Sequence, residues 1–70
     1  GDDANIRTLS RYFQQYDEIL VLEADRGPTK TTQSRKQQIV ALVERFLSQP
    51  NVSGRLTKEA QGLLGTIKVQ

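Results

Sequence analysis

Apolar side chains recur at alternating steps of three and four residues through the first third of the chain. This spacing is typical of the buried face of an amphipathic helix. The residues that follow it are Ile6, Leu9, Phe13, Tyr16 and Leu20, with Tyr12 and Ile19 widening the face. Gly27 comes after the pattern, where a glycine commonly ends a helix. The pattern predicts a first helix over residues 4–25, with Phe13 and Tyr16 in the core.

One stretch of this segment admits a second interpretation. Ile19 to Leu22 is a continuous apolar run, and such a run is also typical of a buried strand. A strand followed by the Gly27-Pro28 turn and a helix would indicate half of an α/β unit. We favour the helix, because the upstream periodicity continues into the run without a helix-breaking residue.

A second helix is predicted over residues 33–48. Its inward-facing apolar residues are Ile39, Leu42, Val43, Phe46 and Leu47. Ser34 and Gln37 have the spacing of a capping box, in which each side chain satisfies a free backbone amide of the first turn. Pro50 prevents the helix from continuing.

A third helix is predicted over residues 57–66, with Thr57 as a candidate N-cap. Its inward-facing residues are Ala60, Leu63, Leu64 and Ile67. Gly62 and Gly65 are unfavourable in a helix interior, so they indicate either a close approach to a neighbour or fraying after Gly65. Three amphipathic segments and two loops predict an all-α fold, a small three-helix bundle that forms a single domain over residues 1–70.

Composition narrows the possible functions. The 70 residues contain neither cysteine nor histidine, which excludes disulfides and imidazole acid–base chemistry. We expect no enzyme activity, no cofactor, no metal site and no small-molecule substrate. We also expect no membrane insertion, since no apolar run approaches the length of a membrane span. The first residue is Gly1 rather than methionine, and we expect a fragment of a larger protein. The missing cysteine and signal peptide favour a cytoplasmic or nuclear location.

Charge is distributed unevenly along the chain. Residues 1–25 carry six acidic and two basic side chains, whereas residues 26–70 carry two acidic and eight basic ones. Arg35 and Lys36 fall in the predicted first turn of the second helix, where they oppose the helix dipole unless an anion is bound. Acidic neighbours such as Glu23 and Asp25 offer an alternative, because they could neutralise the cluster within the chain.

Two functions follow from these patterns. The first is docking of a protein partner, or self-association, on an apolar groove with a basic rim. Val21 and Leu22 lie about 100° and 200° around the helix from Leu20, so at least one should face solvent and mark a partner surface. Tyr12 is the third candidate for this surface. The alternative is a nucleic-acid-binding helical domain, whose candidate phosphate ligands are Arg26, Lys30, Arg35, Lys36, Arg55 and Lys58.

Overall fold

The computed structural model describes residues 1–69, and these residues form three helices. Helix α1 spans Asp3–Arg26, α2 spans Lys30–Leu47 and α3 spans Gly54–Lys68. The short connections make consecutive helices antiparallel, so α1 and α3 run in the same direction. The bundle is elongated, measuring 40 × 18 × 15 Å. The predicted three-helix bundle is confirmed, and the apolar run from Ile19 to Leu22 lies inside α1.

The first connection is shorter than the sequence predicted. Gly27 ends α1 with a φ of 81°, and its N–H donates to the carbonyl of Glu23 at 2.8 Å. The capping box of α2 is formed by Thr29 and Thr32, not by Ser34 and Gln37 as predicted. The Thr32 N–H donates to the Thr29 hydroxyl at 3.1 Å, and the Thr29 N–H donates to the Thr32 hydroxyl at 2.9 Å. Helix α2 therefore begins at Lys30, and Arg35 and Lys36 lie in its second turn.

The second connection also ends earlier than predicted. Ser53, not Thr57, caps α3, and its hydroxyl accepts a hydrogen bond from the N–H of Leu56 at 3.3 Å. The earlier start adds a turn to the helix, which buries Leu56. The helix also continues past Gly65 to Lys68, so it does not end after Gly65, which was one of the two alternatives for the glycines. A Cβ added at Gly62 or Gly65 would meet no heavy atom within 4 Å, so neither glycine serves a close helix contact.

The core lies along the inner face of α2. Its buried apolar residues come from α1 (Leu9, Tyr16, Ile19), α2 (Ile39, Val40, Val43, Phe46) and α3 (Leu56, Ala60, Leu63, Ile67). Val43 and Phe46 are among its most completely buried side chains, at 0% and 2% exposure. Because α2 packs against both other helices, its apolar face is covered from two sides.

The predicted core of α1 is partly wrong. Phe13 keeps 38% of its surface exposed and Ile6 keeps 45%. Leu9, Tyr16 and Ile19 are buried in the core, whereas Ile6 and Phe13 lie on the flank of α1 that borders α3. Helix α3 covers this flank incompletely, so the edge of the heptad pattern stays open to solvent.

Candidate functional site

A groove runs along the outside of α1 and α2, on the side away from α3. We call it the α1/α2 groove. It has a volume of about 280 Å³, and it is lined by Gln15, Glu18, Ile19, Leu22, Arg35, Gln38, Ile39 and Leu42. The four apolar members are spaced three residues apart on each helix, so each pair lies on one helix face. The groove therefore has an apolar floor between two polar walls.

A shallow, open depression on the surface of α1 adjoins the α1/α2 groove. It is lined by Gln14, Asp17, Glu18, Val21, Leu22 and Arg35. Glu18, Leu22 and Arg35 belong to both depressions. Val21 is 69% exposed and Leu22 is 39% exposed, which confirms the prediction that the apolar run could not be buried completely. The two side chains extend the apolar floor of the groove onto the surface of α1.

Charges of both signs border this surface. Arg35 stands on the α2 wall, and Glu18 and Asp17 stand on the α1 side. All three residues are exposed. Arg35 is the one member of the predicted basic cluster that lines the groove, so the rim has an acidic side as well as a basic one.

Lys36 lies in the interior, although its neighbour Arg35 is exposed. Its Nζ is 2.6 Å from Oε1 of Glu23, and the two side chains retain only 8% and 12% of their exposure. The hydrogen bond with Lys36 is the main cause that holds the pKa of Glu23 below its usual value, and the nearby Thr32 hydroxyl acts in the same direction, against the opposing effect of desolvation. Glu23 thus neutralises Lys36 within the chain, as the alternative interpretation of the basic cluster proposed. This ammonium group does not face an external anion.

A polar cluster around this ion pair was not predicted from the sequence. Tyr16 lies next to it, and burial raises the pKa of its phenol. The Tyr16 hydroxyl and Oε2 of Glu23 are buried without a hydrogen-bond partner among the described residues. The heptad spacing correctly placed Tyr16 in the core. That spacing does not indicate which polar atoms of α2 lie beside Tyr16 in the core.

The remaining basic residues lie at opposite ends of the bundle. Arg26 and Lys30 flank the turn between α1 and α2, and Arg26 Nε lies 3.5 Å from the carboxylate of Asp25. Arg55 and Lys58 belong to the start of α3, which lies at the end where α1 begins, as shown by the 3.3 Å hydrogen bond from Asn5 Nδ2 to the Asn51 carbonyl. The six predicted phosphate ligands therefore do not form one surface.

Tyr12 lies apart from Val21 and Leu22. It is half-buried against the core, beside Leu42, Phe46 and the end of α2. The three residues predicted to bind a partner are thus divided, because Tyr12 faces the α2 side of α1, whereas Val21 faces away from the bundle.

A second apolar channel, which the sequence did not predict, runs between α1 and α3. We call it the α1/α3 groove. It consists of two depressions of about 120 and 620 Å³ that share Phe13 and Glu59. Ile6, Phe13 and Leu20 of α1 form its apolar floor, and its α3 wall includes Arg55, Glu59, Gly62 and Thr66. The half-exposed edge of the heptad pattern is the floor of this channel.

The structure and the comparisons add three negative findings. Within residues 1–69, no three metal-binding side chains cluster together. No helix in that range combines the length and the apolar character required to cross a membrane. Comparisons with known protein families, with curated proteins and with solved structures gave no significant match.

Proposed function

We propose that this protein is a non-catalytic protein–protein interaction domain that binds an amphipathic helix of a partner protein in the α1/α2 groove. The observation that carries the proposal is the exposure of Val21 and Leu22 beside an apolar floor. Contiguous apolar surface bordered by polar residues is typical of protein-binding sites. Complete burial of a fully exposed side chain of this size contributes about 1.5–3 kcal/mol, and Val21 and Leu22 contribute in proportion to the surface that each still exposes.

The dimensions of the groove support a helical partner. Gln15 and Leu22 are seven residues apart on α1, as are Arg35 and Leu42 on α2, which gives a groove about 10 Å long. Two turns of an amphipathic helix match this length, with two or three apolar anchors at steps of three and four residues. A carboxylate on one edge of the partner helix would face Arg35, and a cation on the other edge would face Asp17 and Glu18.

Substitution of the exposed apolar pair tests this proposal. The double variant Val21→Ser/Leu22→Gln should lose binding to a partner helix while the melting temperature of the domain changes little, because neither side chain is in the core. Val69→Ser is a matched control, since Val69 is 84% exposed and lies outside the groove. A photo-crosslinking amino acid at position 21 should label the partner, and the same group at position 69 should not.

Two results would contradict the proposal. One is unfolding of the double variant, which would place Val21 and Leu22 in the core. The other is binding of an oligonucleotide that weakens steeply with salt and is lost in Arg26→Glu/Lys30→Glu, as expected if phosphate contacts release counterions. That result would favour the nucleic-acid alternative, with Arg26, Lys30 and Arg35 as the contact residues.

A further inference from the structure

The geometry points to a second interaction surface: we infer that two copies of this chain associate through their α1/α3 grooves, with their α1 helices antiparallel. This inference does not rest on the proposed function, because the α1/α3 groove lies on the other flank of α1 and has a different floor. Phe13 at its centre is 38% exposed, and Ile6 at one end is 45% exposed. A second copy is the occupant that the following features specify.

The first feature is the spacing of the apolar floor. Ile6 and Leu20 each lie seven residues from Phe13, so the three side chains lie on one stripe of α1. A twofold axis beside Phe13 brings Phe13 of one copy against Phe13 of the other. The same axis brings Ile6 of each copy against Leu20 of the other, so each large apolar side chain meets another. Contacts of this reciprocal kind define a closed twofold interface.

The second feature is the order of charges along α1. Arg7 follows Ile6 in the first half of α1, Asp17 lines the α1/α3 groove in the second half, and both are exposed. Among the described residues, neither takes part in an ion pair within the chain. An antiparallel pair of α1 helices brings Arg7 of each copy toward Asp17 of the other, whereas a parallel pair would place like charges together. In this register Arg7 lies within about 3 Å, along the helix axis, of Asp17 of the other copy.

The third feature is the α3 wall of the groove. Gly62 provides open space there, since a Cβ at this position would meet no heavy atom within 4 Å. An aromatic ring from a second copy can approach this point without a clash.

The experiment is a charge-reversal cycle measured by sedimentation equilibrium over a concentration series up to about 1 mM. Arg7→Glu alone and Asp17→Lys alone should each raise the dissociation constant of the dimer about tenfold or more, because each places like charges together. The double variant Arg7→Glu/Asp17→Lys should restore it to near the parental value. An equimolar mixture of the two single variants should form a heterodimer more tightly than either variant forms a homodimer.

Three further measurements keep the test specific. Phe13→Ser should abolish the dimer, and circular dichroism should show that the helices persist. Val21→Ser/Leu22→Gln should leave the dimer unchanged, so failure of this inference and failure of the proposed function are distinguishable. A chain that is monomeric at 1 mM, or charge variants whose effects add in the double variant instead of cancelling, would overturn the inference.

Discussion

The longest helix of this protein is its least buried one. Helix α1 has 24 residues and buries three, whereas α2 has 18 residues and buries six, two of which are polar. Both helices carry amphipathic patterns, so the difference does not arise from their hydrophobicity. It arises from position, because α2 is packed between two neighbours. Helix α1 therefore has apolar surface that the fold does not use, and both proposed interaction surfaces lie along it.

The two phenylalanines give the largest expected difference between the regions. Phe46 on α2 is 2% exposed and Phe13 on α1 is 38% exposed. Phe46→Ala should cost about 3–5 kcal/mol in free energy of unfolding, because it leaves a cavity in the core. Phe13→Ala should cost about 1–2 kcal/mol, since much of the ring is already in water. Urea denaturation at a concentration where the chain is monomeric measures both, and equal losses would show that α1 is buried as deeply as α2.

Lys36 and Arg35 provide a sharper comparison, since they are adjacent on α2. Lys36→Met should destabilise the domain clearly, because it leaves the carboxylate of Glu23 inside the bundle without its cation. Arg35→Met should change the free energy of unfolding by less than about 0.5 kcal/mol, as is usual for exposed positions. Thermal denaturation monitored by circular dichroism distinguishes the two variants.

A second substitution identifies the cause of that loss. Adding Glu23→Leu to Lys36→Met should recover most of the stability, because the unpaired carboxylate is then gone and apolar side chains fill the space. If the double variant is less stable than Lys36→Met alone, the carboxylate is not the source of the loss.

The smallest expected effect is the pH dependence of the same ion pair. The pKa of Glu23 is lowered from its usual 4.5 in the folded protein, first by its hydrogen bond with Lys36. The charged carboxylate therefore stabilises the fold above pH 4.5, and this contribution is lost as the pH falls through the lower folded pKa. Glu23→Gln should make the free energy of unfolding depend less steeply on pH in this acidic range. Glu44→Gln, which breaks the exposed pair with Lys68, should leave the steepness nearly unchanged.

Much of the fold could be predicted from the sequence because it depends on local chemistry. The three-and-four spacing of Leu9, Phe13, Tyr16 and Leu20 predicts a helix from the local pattern alone. Gly27 can adopt a positive φ without strain, which favours the end of α1 at this position. The helix starts were less predictable, since several serines and threonines near each start could serve as the cap. Thr29 and Ser53 are the caps in the folded chain, and both extend their helices toward the N-terminus.

The sequence by itself determined that this chain forms three amphipathic helices and that Ile19 to Leu22 offers more apolar surface than one helix face can bury. Only the tertiary structure decided which side chains remain in solvent. Burial depends on how completely a neighbouring helix covers each flank. The sequence of α1 does not indicate that α3 leaves Phe13 partly exposed. The pairing of Lys36 with Glu23 was decided in the same way, because it joins two helices whose relative rotation is set by the packing of the whole core.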